Sequence, residues 1–255
     1  MKINKISPQE HAYLQMVSTI AKAPKCLYYM GNLPEHRRPS IAIIGTRKPT
    51  AYGRQVTEMF ASQLASKGVI IVSGLALGVD AIAHQATLDS GGTTIAVLAN
   101  ALPDIRPMTN RYLGEQIVAR GGAIISEMDE TKPLGKWSFL ERNRLVAGIA
   151  DAILITEASS RSGTLNTAAR ALEQGKDVFV VPGNITSPAV RAVTCSSSKE
   201  QYPSRISKIF SSESLQLLLR HKPNLHSERP MQKWRFSPSS QLACATAMKF
   251  SASLA

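Results

Sequence analysis

The sequence predicts an α/β fold in which a doubly wound, mostly parallel β-sheet carries helices on both faces. Short runs rich in Ile and Val recur along the chain, and they are apolar at every position, as expected of strands covered on both sides. Amphipathic segments of helical length separate these runs. Such alternation of strands and helices favours right-handed crossovers between parallel strands.

The predicted elements follow one another closely between Ser40 and Pro182. The apolar runs predict strands at 41–45, 69–74, 94–99, 123–126, 152–156 and 178–183. The segments between them predict helices near 51–67, 78–90, 110–120, 138–149 and 164–175. Sheets of this kind bind ligands at the carboxyl ends of their strands, so we expect functional residues in the loops that follow the strands.

The chain divides into three predicted parts. Residues 1–39 form an N-terminal lead-in with weak helical periodicity and a short strand or packed arm. Residues 40–188 form the α/β domain, and residues 189–255 form a basic, Ser-rich tail that sustains no apolar period. Two interpretations of the tail stay open: a disordered or poorly folded segment, and the product of a frameshift near residue 189. Sequencing the gene across that point would decide between them.

The net charge of +12 indicates a polyanionic partner. Residues 1–186 hold 20 Lys and Arg against 15 Asp and Glu, whereas residues 187–255 hold 10 against 3, so more than half of the excess positive charge lies near the C-terminus.

The sequence contains no apolar run of membrane-spanning length and no signal-peptide core. Its three cysteines show no disulfide or zinc spacing. We therefore expect a cytoplasmic protein without membrane contact, metal or other cofactor.

The loop "GTRKPTAYG" (45–53) follows the first strand of the predicted domain. Its Arg47 is placed to contact a phosphate, and a solvated loop arginine is the alternative. The loop contains only Gly45 and Gly53, so it lacks the three-glycine spacing with which dinucleotide-binding folds approach a pyrophosphate. An NAD or FAD site is therefore disfavoured.

Asp80 and His84 stand four residues apart on one face of the second predicted helix. They could form an acid–base pair or supply two ligands of a metal, but no third ligand follows at a suitable spacing. We favour a structural role for both, with the carboxylate hydrogen-bonded at the helix start.

The segment "GKWSFLERNRLVAG" (135–148) interleaves cations with aromatic rings, a combination typical of single-strand binding. Cations follow the phosphate backbone while rings stack on bases. The residues concerned are Lys136, Trp137, Phe139, Arg142, Asn143 and Arg144. For Trp137, a position in the core is the stronger alternative.

The stretch "SRSGTLNTA" (160–168) stands where a strand gives way to a helix. Free N–H groups at the helix start, the hydroxyls of Ser162 and Thr164 and the cation of Arg161 would hold a phosphate. A plain N-cap by Ser or Thr uses the same groups, so both interpretations stay open.

Taken together, these motifs resemble the DNA-processing protein A family (DprA, also called Smf) over roughly Leu27 to Pro188. The segments that carry the resemblance are "GTRKPTAYG" (45–53), "SGLALGVDAIAH" (73–84), "RPMTNRYL" (106–113), "ISE" (125–127), "FLERNRLVAG" (139–148) and "EASSRSGTLNTAARALEQGKDVFVVPG" (157–183). The chain departs from the family pattern at Leu140, where the family usually has Pro.

The resemblance implies an extended Rossmann-like domain that binds single-stranded DNA. It further implies protection of incoming strands in natural transformation, help in loading the RecA recombinase, frequent formation of a homodimer and no catalytic activity. The implied DNA-binding set, combined with the motifs above, is Arg47, Lys136, Phe139, Arg142, Asn143, Arg144, Arg161, Ser162, Gly163 and Thr164.

Two other functional interpretations stay open. Nucleotide phosphoribohydrolases of the lysine-decarboxylase-like type look like structural cousins, with a "PGGxGTxxE" motif whose Glu does the chemistry. Gly163 and Thr164 match its "GT", but Thr167 stands in place of the Glu, which fits binding rather than hydrolysis. The chain could also be a non-functional, truncated remnant.

Overall fold

The computed structural model describes residues 2–129, 134–158, 163–181 and 206–209. These residues belong to the compact unit Met1–Arg220. The strands are β1 (Asn4–Ile6), β2 (Leu27–Gly31), β3 (Ser40–Gly45), β4 (Ile70–Ser73), β5 (Thr94–Leu98), β6 (Ala123–Ser126), β7 (Ala152–Glu157), β8 (Asp177–Val180) and β9 (Ile206–Ile209). The α-helices are α1 (Ala51–Ser66), α2 (Val79–Asp89), α3 (Arg111–Ala119), α4 (Lys136–Ile149) and α5 (Gly163–Glu173). Short 3-10 helices span Pro8–Glu10, Gln15–Thr19 and Met108–Asn110.

The nine described strands form one sheet in the order β1-β2-β6-β5-β4-β3-β7-β8-β9. From β6 to β9 in this order every neighbouring pair is parallel, while β2 runs antiparallel to both of its neighbours. The chain moves outward from β3 to β6 through α1, α2 and α3, and α4 then returns it to the other side of β3. This arrangement confirms the predicted doubly wound, mostly parallel sheet.

Alternate residues of the central strands pack against helices on opposite faces of the sheet. Ile41 and Ile43 pack in one cluster with residues of α1 and α2, and Ala42 and Ile44 pack in another with residues of α4 and α5. Because both faces are covered, these strands are apolar throughout. Among the described residues, no helix is both long enough and apolar enough to span a bilayer.

The lead-in packs against α4 within the same core. Tyr13, Leu14 and Val17 are buried in one cluster with residues of α4 and the sheet. The Arg37 guanidinium lies 5.1 Å from the Tyr13 ring centre, and it donates hydrogen bonds to the carbonyl oxygens of Tyr13 (3.1 Å) and Ile149 (3.0 Å). The lead-in also supplies β1 and β2, which extend the sheet beyond β6.

Of the predicted tail, residues 189–255, the structure describes β9, which pairs in parallel with β8. The rest of the tail lies outside the described residues. The structure therefore does not decide between a disordered or poorly folded segment and a frameshift product.

Candidate functional site

An open cleft of about 840 Å³ lies at the carboxyl edge of the sheet. Its walls come from the loops after β3 and β4, from the start of α2, and from the amino-terminal parts of α4 and α5. The chain leaves β3 towards one face of the sheet and leaves the adjacent β7 towards the other, so the cleft stands at a topological switch point. This is where open α/β sheets bind their ligands.

Arg47 stands exposed at one wall of the cleft, beside the exposed Lys48. The backbone of their loop rests on Gly78, whose φ is +79° and where a Cβ would lie 2.4 Å from the carbonyl oxygen of Thr46. The amide of Val79 donates a hydrogen bond to the same oxygen, at 3.1 Å. Because a side chain at Gly78 would push the loop aside, the start of α2 positions Arg47.

The amino end of α1 is already occupied by a carboxylate of the protein. In dinucleotide-binding folds the corresponding helix start holds the pyrophosphate. Here Thr50 donates hydrogen bonds from its amide (3.0 Å) and its hydroxyl (2.9 Å) to Oε2 of Glu157, at the end of β7. Gly53 makes room for this oxygen, since a Cβ there would lie 1.8 Å from it. A phosphate would have to displace Glu157, which adds a structural reason against a dinucleotide.

The amino ends of α4 and α5, by contrast, face the cleft. Lys136 begins α4 and Gly163 begins α5, and both line the cleft together with Phe139 and Thr164. The amide groups of a first helical turn lack partners within the helix and attract anions. The side chain of Asn143 connects the two helices by donating a hydrogen bond to the carbonyl oxygen of Gly163, at 3.4 Å.

Cations dominate the lining of the cleft. Its described lining residues include four cations and one acid, namely Arg47, Lys48, Lys136, Arg142 and Asp80. In the part of the chain that the structure describes, no ion pair involves Arg47, Lys48 or Lys136. Unpaired cations in a concave site attract polyanions and concentrate them there.

Arg142 forms the floor of the cleft, with 8% of its surface exposed. Its Nη1 donates hydrogen bonds to the carbonyl oxygens of Gly74 (2.7 Å) and Val97, which joins the ends of β4 and β5. The buried carboxylate of Asp80 accepts a hydrogen bond from the amide of Gly74, at 3.1 Å. Burial raises the pKa of Asp80, and the charge of Arg142 opposes that rise, so the two side chains depend on each other.

The loop after β4 contains a strained residue, Leu75, whose φ is +55°. Nδ2 of Asn110 donates hydrogen bonds to the carbonyl oxygens of Leu75 (2.9 Å) and Ala76 (3.2 Å). A non-glycine residue keeps such a backbone only where its surroundings enforce it. Since Ala76 lines the cleft, Asn110 positions this wall without facing the ligand itself.

His84 lies fully buried behind the cleft floor, with Nδ1 2.6 Å from the hydroxyl oxygen of Thr94. That hydroxyl donates its proton to the carbonyl oxygen of Ile71, so Nδ1 of His84 is the donor and Nε2 is unprotonated. Among the described residues, nothing forms a hydrogen bond with Nε2. These contacts support the structural role that the sequence favours for Asp80 and His84.

Acid should destabilise the protein because His84 resists protonation. Burial, with a further contribution from the Arg142 cation, lowers the pKa of His84 from 6.5 to about 3. Between these values the unfolded chain binds a proton that the folded chain does not, so the free energy of unfolding falls as the pH falls. The free energy of unfolding of each protein is measured with urea at pH 7 and at pH 5. We expect the decrease between these pH values to be about 2 kcal/mol smaller in His84→Asn than in the parent protein.

The same comparison controls for Asp80, whose raised pKa acts with the opposite sign. Asp80 is present in both proteins, so its contribution drops out of the difference between them. An equal acid-induced loss in the two proteins would contradict the role assigned to His84.

The structure brings most of the predicted site residues together. Those that line the cleft are Arg47, Lys136, Phe139, Arg142, Asn143, Gly163 and Thr164. Arg161 and Ser162 lie outside the described residues. Arg144 lies in a separate cavity of about 290 Å³ between α4, α5 and the lead-in, where it pairs with Glu127 and, at 3.3 Å, with Glu141. The cleft is therefore built without Arg144.

The structure also corrects one expectation and adds residues that the sequence did not single out. Trp137 is 50% exposed, so its placement in the core is wrong. Lys48 lines the cleft, and its position next to Arg47 was a signal available in the sequence. Glu157 and Asn110 stand in segments that carry the family resemblance, but their roles depend on contacts between distant loops, which no local pattern predicts.

The fold and the site define a class: a Rossmann-like α/β protein whose switch-point cleft suits an anionic ligand other than a dinucleotide. Within that class, the family model for DNA recombination-mediator protein A matches residues 4–208, and the chain belongs to this family. This confirms the resemblance drawn from the motifs.

Curated relatives include DNA processing protein DprA of Bacillus subtilis, 36% identical over 187 residues that make up 73% of this chain and 63% of that protein. Protein Smf of Escherichia coli is 40% identical over 165 residues, 65% of this chain and 44% of that protein. The chain thus spans about half to two thirds of the length of these relatives.

Solved structures agree with this assignment. DNA processing protein A of Streptococcus pneumoniae superposes with a TM-score of 0.68 at 35% identity, covering 75% of this chain and 67% of that one. DNA processing protein A of Helicobacter pylori, whose single-stranded DNA binding mode has been described, gives 0.67 at 32% identity and covers 79% and 90%. Both likenesses support the predicted Rossmann-like fold.

Proposed function

We propose that this chain binds single-stranded DNA in the cleft, as a DNA-processing protein that protects incoming strands in natural transformation. The observation that carries the proposal is the composition of the cleft. Three exposed cations without acidic partners among the described residues stand beside two helix amino ends, and the acid of the lining, Asp80, is buried. Such a surface suits a chain of phosphates.

A single strand fits this site better than a duplex. Phe139 lines the cleft with 38% of its surface exposed, so its ring is available for stacking. Stacking on a side chain requires bases that are not already stacked in a helix. The Helicobacter pylori relative, described as binding single-stranded DNA, supports the same choice.

The cleft has no residue suited to general acid or base catalysis among those that the structure describes, which favours binding over hydrolysis. Thr167, which lines the cleft where the hydrolase motif has its Glu, donates a hydrogen bond to the carbonyl oxygen of Gly163, at 3.3 Å. Asp80 is engaged by the Gly74 amide and stands near Arg142. Neither residue is placed as a general acid or base, so we propose that the chain is not an enzyme.

Help in loading RecA and assembly into a homodimer are further parts of the proposal. Both rest on the family to which the chain belongs, whose listed relatives are longer, and with them we propose that the protein acts in the cytoplasm. RecA-dependent strand pairing with and without the protein tests the first, and sedimentation equilibrium tests the second. No stimulation of pairing would remove RecA loading from the proposal while leaving DNA binding in place.

The central test is fluorescence anisotropy with a labelled oligothymidylate and a duplex of the same length. We expect tighter binding to the single strand, because its bases are free to stack. If three to four phosphates are contacted, affinity should fall about 20- to 50-fold between about 50 and 200 mM salt. Equal affinity for the duplex, or release of base from AMP, would contradict the proposal. A non-functional remnant would show neither cooperative unfolding nor binding.

A further inference from the structure

A ridge of exposed apolar side chains crosses the start of α4. We call it the α4 crest; its members, with the exposed fraction of each, are Leu134 (45%), Trp137 (50%), Phe139 (38%) and Leu140 (47%). Leu140 lines both the cleft and the neighbouring 290 Å³ cavity, so the crest separates the two. Large apolar groups gathered at the surface indicate a place where something binds.

Within the α4 crest, Trp137 stands on the side away from the cleft. Positions 136, 139 and 143 share one face of α4, and all three residues line the cleft. Positions 137, 141 and 144 share another face, and Glu141 and Arg144 line the neighbouring cavity. A strand that leaves the cleft across α4 therefore meets Phe139 first and Trp137 next.

The indole ring of Trp137 packs against Gly135, the residue that precedes α4. A Cβ on Gly135 would lie 2.8 Å from Nε1 and 2.9 Å from Cδ1 of Trp137, so the ring rests against bare backbone. A ring that is already ordered loses little conformational freedom when a ligand stacks on it. Half of its surface is nevertheless exposed.

The charges around the ring favour a nucleobase over a protein partner. Lys136 is exposed and has no acidic partner among the described residues. Lys22, at the rim of the neighbouring cavity with 77% of its side chain exposed, lies 3.9 Å from Glu141, and the described lining of that cavity holds four cations against two acids. Protein interfaces are depleted in lysine, whereas cations that alternate with aromatic rings are typical of single-strand binding.

We infer that Trp137 stacks on a nucleobase of a strand that leaves the cleft across α4, so that the site recognises bases as well as phosphates. This inference rests on the proposed function and adds a contact outside the cleft. In this arrangement Lys136 binds the phosphate backbone, while Phe139 and Trp137, on two different faces of α4, stack on successive bases.

The test uses Trp137 as its own reporter. The chain has two tryptophans, so Trp234→Phe leaves Trp137 as the sole source of indole fluorescence. This protein is titrated with oligothymidylate and, separately, with inorganic polyphosphate of the same number of phosphates. We expect oligothymidylate to quench the fluorescence saturably, and polyphosphate to bind without quenching, because it has phosphates but no bases.

Substitutions then separate the ring from the rest of α4. Trp137→Ala should weaken oligothymidylate binding about 5- to 30-fold and leave polyphosphate binding unchanged. Trp137→Tyr, which keeps a stacking ring, should recover most of the affinity, whereas Trp137→Leu, which keeps only apolar surface, should not.

Failure of this inference is distinct from failure of the proposed function. Oligothymidylate binding without quenching, unchanged in Trp137→Ala, overturns the stacking role, leaves the cleft as the DNA site and frees the α4 crest for a protein partner. Equal losses for oligothymidylate and polyphosphate in Trp137→Ala also overturn it, because they show a general effect on the start of α4. No binding of oligothymidylate to Trp234→Phe overturns the proposed function, and the stacking role with it.

Discussion

Arg142→Ala is expected to lower the free energy of unfolding by about 3–5 kcal/mol. The change would leave the buried Asp80 carboxylate without the cation whose charge opposes the desolvation-driven rise in its pKa. It would also remove the donor that joins the carbonyl oxygens of Gly74 and Val97 at the ends of β4 and β5. Buried carbonyl groups left without a donor carry a desolvation cost of their own. Urea unfolding at neutral pH measures the loss.

Lys136→Ala is the matched control, since it removes one positive charge from the same helix at an exposed position. It should change the free energy of unfolding by less than about 0.5 kcal/mol. The double variant Asp80→Asn with Arg142→Met should recover part of the stability, because it removes both buried charges together. A loss below about 1 kcal/mol for Arg142→Ala would show that Arg142 acts mainly towards the ligand and not as the floor of the cleft.

The contrast between Arg142 and Arg144 shows where sequence reasoning stops. The two arginines are two residues apart, which is about 200° around a helix, so they cannot face the same site. The register of α4 is fixed by the residues that it buries against the sheet, among them Leu145, Val146 and Ile149. The motif makes both cations candidates for the site. The packing of α4 then places Arg142 beneath the cleft and Arg144 beside Glu127 and Glu141.

The six parallel strands β3 to β8, in contrast, were predictable element by element. Strands buried on both faces must be apolar throughout, and runs such as 41–45 and 152–156 carry that signal in their own composition. The lead-in carries a weaker signal, because outside β2 its buried residues, such as Tyr13, Leu14 and Val17, lie in a short 3-10 helix and in connecting turns. Its packing on α4 is decided by tertiary contacts such as those of Arg37.

Glu157 explains why the anion-binding cleft of this Rossmann-like sheet does not use the amino end of α1, where dinucleotide-binding folds hold the pyrophosphate. Its carboxylate accepts hydrogen bonds from the amide and the hydroxyl of Thr50, so a negative charge already neutralises the positive end of α1. Near the start of α2, the buried Asp80 is a second carboxylate, which accepts a hydrogen bond from the amide of Gly74. An anion is therefore directed towards α4 and α5, where Lys136 and the opposing Arg47 line the cleft.

Replacing both Arg47 and Lys136 by Ala is expected to weaken oligothymidylate binding about 100-fold at low salt, since each exposed phosphate contact is worth about tenfold. The slope of log affinity against log salt should become shallower by about 1.4, because two fewer counterions are displaced from a single strand. Anisotropy titrations over a salt series measure both quantities. Thermal unfolding should hardly change, because both side chains are exposed and make no ion pair with the described residues.

The matched control removes two positive charges from the opposite edge of the sheet, at Arg38 and Lys67, which precede β3 and β4. Net charge and the basic tail are then the same in the two double variants, so any general attraction between protein and DNA is equal. We expect Arg38→Ala with Lys67→Ala to bind within about threefold of the parent, because phosphate contacts act locally and distant charges are screened by salt. If both double variants lose affinity equally, the DNA is held by overall charge and the cleft is not the binding site.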